Sequence, residues 1–334
     1  MGDVYLVIGA TGALGSAVTR YLYRQGEPVR VFVRSEWKFR NFFPKETSAE
    51  LERKIEIIAG DILQREQLES AMQDVSAIFH CTNFPLTIFD HNITATQNVL
   101  ELALEQGAHV IYPSNVWVYG KPQSVPITEE HPKNPCFRLG EIKLRINEMC
   151  MTYFQKRQLP VTILHLPDFY GPYVLNSWMK ANYQAAQRGK PINMIGKIHN
   201  QHELIYIDEA ARALCSVATL EDTFGQYYNV PGYGGITLHT FFTYLYEAAG
   251  TTGDIRTVPS WLFRTMGLLN REIQALLEMQ YLFEEEILLD GSKIKDVVGY
   301  TPKIDYRMGT QRTMYWYQKA KAEMSSLSMS SLSL

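Results

Sequence analysis

Close to its start the chain reads Val4-Tyr5-Leu6-Val7-Ile8-Gly9-Ala10-Thr11-Gly12-Ala13-Leu14-Gly15, an apolar run followed by three regularly spaced glycines. A helical pattern over Ser16–Arg24 follows it. Glycine suits such a turn because it lets backbone N–H groups and a helix N-terminus approach a phosphate that a Cβ would keep away. The stretch therefore predicts a strand, a phosphate-binding turn and a helix. We expect contacts to a dinucleotide cofactor from Gly9, Thr11, Gly12, Ala13, Leu14 and Gly15.

Composition limits the functions open to the chain. It has 334 residues and a formal net charge of -3, which gives no electrostatic reason to expect a nucleic-acid partner. No apolar run is long enough to span a bilayer, so no membrane partner is expected. The four cysteines include no C-x-x-C pair, which argues against structural zinc and against a disulfide framework. We therefore expect a cytoplasmic protein without a bound metal, acting on a small molecule.

Strand and helix patterns alternate through the first half of the chain. The predicted strands are Val29–Val33, Ile55–Ile58, Ala77–His80, Val110–Tyr112 and Val161–Leu164. The predicted helices between them are Gln64–Met72, Ile93–Gln106 and Ile142–Gln155. Such alternation indicates a doubly wound α/β fold, with helices on both faces of a parallel sheet. Ligands of these sheets bind beyond the carboxyl ends of the strands, so the residues that follow the strands should line one cleft.

The pattern loosens in the second half and indicates a smaller, mixed lobe. We expect residues 1–165 to form a dinucleotide-binding domain to which residues 204–232 return. Residues 166–203 and 233–320 should form a substrate lobe. Residues 321–334 are rich in Ser, Leu and Met, and this low-complexity composition predicts a disordered tail.

Further motifs follow the glycine turn. They are Gly60-Asp61-Ile62, Asn92 opening a long helix, Pro113-Ser114-Asn115-Val116-Trp117-Val118-Tyr119-Gly120, Lys143, Tyr170-Gly171-Pro172, Tyr206-Ile207-Asp208, Asp290-Gly291-Ser292-Lys293 and Gly299-Tyr300-Thr301-Pro302. With the glycine turn, they resemble the extended short-chain dehydrogenase/reductase family, in its NAD-dependent epimerase/dehydratase group. The resemblance covers nearly the whole chain, from Val4 to about Trp316. It implies a Rossmann-type sheet with a smaller mixed C-terminal substrate lobe and a nicotinamide cofactor.

The catalytic motif of that family is incomplete in this chain. The family uses a Tyr-x-x-x-Lys pair on one helix and a Ser or Thr after the preceding strand, and the lysine lowers the tyrosine pKa. Lys143 is present, but Leu139 stands at the tyrosine position and Asn115 at the serine position. No tyrosine lies between Gly120 and Met151. Since neither Leu nor Asn exchanges a proton near neutral pH, we expect a non-standard proton relay.

Three residues are candidates for catalysis. The resemblance implies that Lys143 binds the nicotinamide ribose hydroxyls, the alternative being a solvated helix lysine. Asn115 is either a turn residue or a donor to a substrate carbonyl. Tyr119 is the nearest surviving phenol to the lost one, although it could equally fill the core.

The residues after the second and third strands bear on the choice of cofactor. Arg34 stands where NAD-selective sites usually carry an acid, with Lys38 close by. A cation suits a 2′-phosphate, so NADP is favoured and NAD is the alternative, unless Arg34 belongs to a plain basic loop. The resemblance places the adenine contact at Asp61 and Ile62, where the alternative is an exposed acid that caps the next helix. It adds two further cofactor contacts, Cys81 and Pro167.

The expected substrate contacts follow strands or enter the second half of the chain. They are Asn83, Asn115, Tyr119, Asp168, Tyr170, Asn176, Ser177, Trp178 and His202. Asp168 or Tyr170 could carry a proton, or each could be a hydrogen-bonded structural residue. His165 stands where many family members carry Arg, and His202 where nucleotide-sugar enzymes do, which weakens the case for a nucleotide sugar. The many aromatic residues there favour an apolar or aromatic small molecule, though they would also fill a core.

These patterns leave three functions open. The first is an NAD(P)-dependent oxidoreductase or epimerase-like enzyme with a rearranged relay. The second is a catalytically silent NADP-binding sensor or scaffold, and the third is a non-redox isomerase or cyclase that reuses the fold. We also consider a homodimer through the helices Ile93–Gln106 and Ile142–Gln155.

Overall fold

A computed structural model describes residues 4–40, 42–43, 54–259 and 277–330. Contacts between Cα atoms divide the chain into two compact units. Unit 1 comprises Met1–Pro167, Asp208–Pro231 and Leu289–Thr301, as far as these are described. Unit 2 comprises, with the same reservation, Asp168–Ile207, Gly232–Leu288 and Pro302–Leu334.

Strands and helices alternate along the described residues as the sequence predicts. The strands are β1 (Val4–Ile8), β2 (Val29–Val33), β3 (Ile55–Ala59), β4 (Val75–His80), β5 (His109–Asn115), β6 (Val161–Leu166), β7 (Asp168–Tyr170), β8 (Ile192–Met194), β9 (Gln201–His202), β10 (Leu204–Tyr206), β11 (Gln226–Asn229), β12 (Ile236–Thr237) and β13 (Ile255–Thr257). The α-helices are α1 (Ala13–Gln25), α2 (Glu36–Arg40), α3 (Arg65–Glu69), α4 (His91–Gln106), α5 (Arg138–Arg157), α6 (Ser177–Gln187), α7 (Ile207–Ser216), α8 (Leu238–Ala249), α9 (Ser292–Val298) and α10 (Tyr306–Ser330).

Unit 1 is built on a seven-stranded sheet in the order β11-β6-β5-β4-β1-β2-β3. All its strand pairs are parallel. The strands are short apolar runs because helices flank the sheet, and β6 is buried along its whole length. The strand order reverses between β1 and β4, and in such sheets this is where a ligand crevice opens. The predicted doubly wound α/β fold is confirmed.

Unit 2 is smaller and mixed. It holds three two-stranded pairs: β7 with β10, β8 with β13, and the antiparallel pair β9 with β12. An aromatic cluster lies in its core, where Tyr170 contacts Tyr206, Phe241 and Tyr306 at ring-centroid distances of 5.5, 5.2 and 5.8 Å. These rings stabilise the unit by burial and by tilted or edge-to-face contacts.

The chain differs from the sequence-based expectation in several places. Residues 204–207, expected in the dinucleotide-binding domain, belong to unit 2, because β10 pairs with β7. Residues 289–301, expected in the substrate lobe, belong to unit 1, because the Asp290 N–H donates to Ile127 O at 2.8 Å and Lys293 Nζ donates to Gln226 Oε1 at 3.0 Å. Helix α10 runs to Ser330 and so includes residues for which disorder was expected. Extending an existing helix adds hydrogen bonds without a new nucleation cost. Residues 331–334 lie outside the described residues.

Among the described residues, no helix combines the length and the apolar character that a membrane span requires.

Candidate functional site

The glycine turn after β1 is closed so tightly that side chains are excluded. Gly9 has φ +84°, and a Cβ there would lie 2.8 Å from the backbone N of Thr82. A Cβ on Gly15 would overlap the carbonyl oxygen of Gly9, which already accepts the Gly12 N–H at 2.9 Å. Each of these two glycines is therefore required by a backbone approach.

The start of helix α1 presents backbone donors. Its first helical bond runs from the Ser16 N–H to Gly12 O at 2.9 Å, so the amides of Ala13, Leu14 and Gly15 precede it. Gly12 supplies no side-chain cap, and the first turn carries no acid. The Ser16 hydroxyl donates back to Ala13 O at 2.9 Å. This arrangement fits the pyrophosphate of a dinucleotide, which the N–H groups and the helix dipole would bind.

Two exposed cations follow β2: Arg34, directly after the strand, and Lys38, on α2. The acid of this segment, Glu36, bonds Arg40 through Oε1 at 2.5 Å. Positive side chains therefore face solvent where an NAD-selective site would present an acid.

Asp61, after β3, organises its own turn. Its Oδ1 accepts the Leu63 N–H at 3.0 Å, and its own N–H donates to Gln67 Oε1 at 2.8 Å. The neighbouring Ile62 is buried, and its carbonyl accepts from Asn98 Nδ2 at 2.9 Å. The predicted alternative, an exposed acid that caps the next helix, is not present: Asp61 is half-buried, and the N-cap of α3 is Gln64, which makes no side-chain cap bond.

Residues after β4 lie against the glycine turn. The Cys81 N–H donates to Ile8 O at 2.9 Å, and burial raises the pKa of the Cys81 thiol to about 12. The thiol stays protonated, so Cys81 offers shape and backbone to a cofactor and no nucleophile. Asn83 is exposed, and Pro167 lies at the end of unit 1, directly after β6.

The Asn115 amide has a fixed orientation. Its Oδ1 accepts the Trp117 N–H at 3.2 Å and caps the short 3-10 helix Val116–Tyr119. The turn role predicted as one alternative is therefore present, and it leaves Nδ2 as the donor that the other alternative needs.

The start of α5 is packed against that 3-10 helix. Leu139, at the family's tyrosine position, is buried. A Cβ on Gly140 would lie 2.9 Å from both Trp117 O and Pro135 Cβ. Trp117 in turn packs edge-on against Phe137, with ring centroids 5.5 Å apart. The region that a tyrosine occupies in the family is a close-packed apolar contact in this chain.

Lys143 is buried within unit 1 and bonded to a phenol. Its Nζ donates to the Tyr112 hydroxyl at 3.0 Å and lies 5.8 Å from the ring centroid of Phe89. Burial lowers the pKa of Lys143 to about 8. The alternative of a solvated helix lysine is wrong, since Lys143 is only 5% exposed.

Tyr119 does not reach a cleft, which corrects its assignment as a proton carrier. Its hydroxyl donates to Asn229 Oδ1 at 2.7 Å and accepts from His165 Nδ1 at 2.8 Å. His165 Nε2 then accepts from Asn147 Nδ2 at 2.9 Å. Tyr119 is fully buried, and burial raises its pKa far above the usual range. The network lies in the interior of unit 1, and the phenolic hydrogen of Tyr119 is used in the hydrogen bond to Asn229.

Two predicted substrate residues lie on β7 of unit 2. Burial raises the pKa of Asp168 to about 6, so this carboxyl exchanges a proton near neutrality. Tyr170 is 1% exposed and belongs to the aromatic cluster of unit 2. Its expected role at a cleft is therefore corrected, because this phenol packs in the core.

The remaining predicted substrate residues have structural partners of their own. Asn176 is exposed and its Oδ1 caps α6 by accepting the Met179 N–H at 3.0 Å. Trp178 packs edge-on against Phe283, with centroids 5.6 Å apart. His202 is buried and its Nε2 lies 3.3 Å from Lys197 O. Ser177 begins α6, but its side chain lies outside the described residues.

Sequence reasoning missed Tyr112. A search for a phenol four residues before the lysine fails, because this phenol comes from β5. In sequence, an aromatic residue in a buried strand is indistinguishable from core, so no signal could have found it.

Comparisons with known proteins agree with this geometry. The model of the NAD dependent epimerase/dehydratase family matches residues 5–230. The chain is 25% identical to an uncharacterized protein, y4nG, of Sinorhizobium fredii, over 96% of this chain and 80% of that one. It is 21% identical to a UDP-N-acetyl-alpha-D-glucosaminuronate decarboxylase of Bacillus cytotoxicus, over 94% and 97% of the two chains.

Among solved structures, the dTDP-glucose 4,6-dehydratase of Bacillus anthracis in complex with NAD has the same fold. Its TM-score is 0.78 at 21% identity, over 95% of this chain and 97% of that chain. The resemblance, the fold class and the assignment to an enzyme family are thereby confirmed. The chain belongs to the NAD dependent epimerase/dehydratase family.

Proposed function

We propose that this protein is a nicotinamide-dependent oxidoreductase or epimerase that acts on a small molecule through a non-standard proton relay. The observation that carries the proposal is the pairing of two features within unit 1. The turn at Gly9 and Gly15 excludes side chains in front of the α1 amides, while Leu139 is buried where the family carries its phenol. Hydride chemistry belongs to the cofactor, so binding can be retained while the proton path changes.

NADP is the proposed cofactor, with NAD as the alternative. Arg34 and Lys38 are exposed after β2, and Glu36 is bridged to Arg40. A guanidinium suits a 2′-phosphate by paired, charge-assisted hydrogen bonds. The Bacillus anthracis relative was solved with NAD, so the preference is a property proposed for this chain alone.

In the proposed relay, Asn115 Nδ2 and Lys143 Nζ are donors. Asn115 can polarise a carbonyl oxygen, because its own oxygen is held by the Trp117 N–H. Lys143, whose pKa is lowered to about 8, can hold or release a proton near neutral pH. Neither Tyr119 nor Tyr170 is part of this proposal, since both phenols are buried in other clusters.

The named relatives, and not the aromatic residues of unit 2, indicate the class of substrate to test. The aromatic residues of unit 2 that favoured an apolar substrate contact one another, so they fill a core and no longer support that choice. Two relatives are named for nucleotide sugars, which makes UDP- and dTDP-sugars the first substrates to test.

The test is cofactor binding followed by turnover. Fluorescence titration should show binding of NADPH, and a panel of UDP- and dTDP-sugars with stoichiometric cofactor should show a change in nicotinamide absorbance or a new sugar on chromatography. A protein that binds neither NADPH nor NADH contradicts the proposal. Tight cofactor binding without chemistry across the panel would favour the silent sensor instead.

A homodimer through α4 and α5 is a second, independent proposal. The exposed residues of these helices are polar and include Gln97, Glu141, Arg145 and Glu148. A dimer formed there would be held by charged contacts, which salt screens. Sedimentation at low and high salt should show a dimer that dissociates as salt rises. A monomer at both salt concentrations would exclude it.

A further inference from the structure

Four buried titratable side chains lie close together in unit 1. They are His80 on β4, Tyr112 on β5, and Lys143 and Cys150 on α5. All four are at most 5% exposed. The rings of His80 and Tyr112 lie 5.7 Å apart, and Lys143 Nζ lies 5.2 Å from the Tyr112 ring centroid.

The direction of each hydrogen bond can be assigned. An ammonium only donates, so the Tyr112 oxygen accepts from Lys143 Nζ at 3.0 Å, and the phenolic hydrogen is left to donate elsewhere. The Thr96 hydroxyl donates to Asn92 O at 2.8 Å, so it accepts from His80 Nε2 at 2.9 Å. His80 is therefore the Nε2–H tautomer, and its Nδ1 is a buried acceptor without a hydrogen-bond partner among the described residues.

This phenol and lysine reproduce a pairing that α5 lacks. In the family motif the phenol comes from the residue four before the lysine, which is the buried Leu139 here. Tyr112 brings a hydroxyl to the same ammonium from the neighbouring strand instead.

We propose that Tyr112 is the partner of Lys143 in place of the missing helix phenol. The pair holds a proton, and the positive charge of the oxidised nicotinamide promotes its release. This inference rests on the proposed function, because it assumes that the cofactor binds beside Lys143. Tyr112 acts through Lys143 and is a positioning residue.

The other groups of the cluster stay neutral near pH 7.5. Burial, and secondly the charge of Lys143, lowers the pKa of His80 to about 3, and burial raises that of Cys150 to about 12. Burial also raises the pKa of Tyr112 well above its usual value. Within this cluster, Lys143 is the group whose proton can leave, with a pKa of about 8.

The experiment is calorimetric titration with the oxidised and the reduced cofactor, in buffers of different ionisation enthalpy, between about pH 6.5 and 9. The pair is NAD⁺ and NADH, or NADP⁺ and NADPH if only the phosphorylated pair binds. The nicotinamide ring of NAD⁺ carries a positive charge, which disfavours the ammonium form of Lys143. Binding of NAD⁺ should therefore release protons, whereas binding of NADH, whose nicotinamide ring is uncharged, should not. If the pKa of Lys143 falls from about 8 to about 7, about half a proton leaves at pH 7.5.

Two variants locate the proton. Lys143→Gln should abolish the difference between NAD⁺ and NADH. Tyr112→Phe removes the acceptor of the ammonium, so the pH of maximal release should fall by about one unit while NADH still binds. Tyr228→Phe is the matched control, because Tyr228 is also a buried phenol on a strand of this sheet, with Lys293 Nζ 5.0 Å from its ring centroid. It should behave like the unmodified protein.

The outcomes separate the two proposals. Failure to bind all four nucleotides, NADP⁺, NADPH, NAD⁺ and NADH, defeats the proposed function. Binding with no difference in protons between NAD⁺ and NADH, or a pH maximum that Tyr112→Phe leaves in place, overturns the pairing alone. If Tyr112→Phe does not fold, Lys143→Gln decides: a difference that persists in that variant also overturns it.

Discussion

The glycine turn after β1 and the start of α5 belong to the same unit but differ in what fixes them. At the turn, backbone meets backbone, and a Cβ on Gly9 or Gly15 would collide with main-chain atoms. At α5, side chains meet: Leu139 is buried at the family's tyrosine position, and the ring of Phe137 packs edge-on against Trp117. In the proposed function, cofactor binding would thus depend on backbone geometry that few substitutions allow. The proposed proton path would depend on side chains, which can be exchanged.

The largest effect should come from breaking the turn. Gly15→Ala places a Cβ against the Gly9 carbonyl, so we expect NADPH affinity to fall by about a hundredfold, or about 2.7 kcal/mol. Gly26→Ala is the control: Gly26 has a positive φ, +81°, so alanine is strained there, but among the described residues no atom lies within 4 Å of the added Cβ. It should lower the melting temperature and leave the affinity unchanged. Equal losses of affinity in both variants would contradict the steric argument.

The next largest effect is that of acid, which should act on the region near α5 and not on the glycine turn. Residues 9–15 carry no titratable side chain, whereas the sheet near α5 holds His80 and His165, whose pKa burial lowers to about 3. An unfolded histidine takes up its proton near pH 6.5, so the unfolded state binds more protons below that pH. The free energy of unfolding should therefore fall by about 1.4 kcal/mol per pH unit for each histidine between about pH 6.5 and 4.

Urea unfolding at several pH values measures this slope. The His165→Gln variant loses one of the titrating groups, so its stability should change less steeply with pH than that of the unmodified protein. A stability that is flat from pH 7 to 5 would show that these histidines are protonated in the folded state.

The third test restores the family's catalytic residues at the start of α5 and after β5. Leu139→Tyr with Asn115→Ser restores the family residues, yet we expect no gain of carbonyl reductase activity. Overpacking beside Gly140 and loss of the Asn115 cap should cost about 1–3 kcal/mol of stability instead. Leu139→Phe with Asn115→Ser is the control, since it adds the ring without the hydroxyl. Reductase activity that depends on the tyrosine would show that the pocket was merely missing two side chains.

The last test concerns cofactor choice. Arg34→Ala should weaken NADPH binding by about 1–3 kcal/mol and spare NADH, because a charge-assisted contact to the 2′-phosphate is lost. Arg24→Ala removes another exposed arginine, in the last turn of α1, and should change neither affinity. Equal affinity of the unmodified protein for the two cofactors would end the NADP proposal.

The same contrast explains what the sequence could predict. The sheet and the glycine turn were predictable because hydrophobic periodicity indicates strands and helices, and glycine spacing indicates a tight backbone turn. The sequence also shows that Leu139 stands four residues before Lys143, and Asn115 five residues before Gly120. The bond between Lys143 and Tyr112 was not predictable, since it joins residues 31 positions apart through a tertiary contact. Likewise, nothing in the letters distinguishes a tyrosine in a cleft from Tyr119 in its buried network.

Unit 1 is assembled from three separate pieces of the chain, and the last of them ends at Thr301. Its edge strand β11 and the segment that bonds to Ile127 are translated after β7 to β10 of unit 2. A nascent chain released at residue 167 has the glycine turn but lacks the final strand and its cover. The dinucleotide-binding half therefore cannot reach its finished form before the ribosome has made most of the other half, and contacts so distant in sequence slow folding.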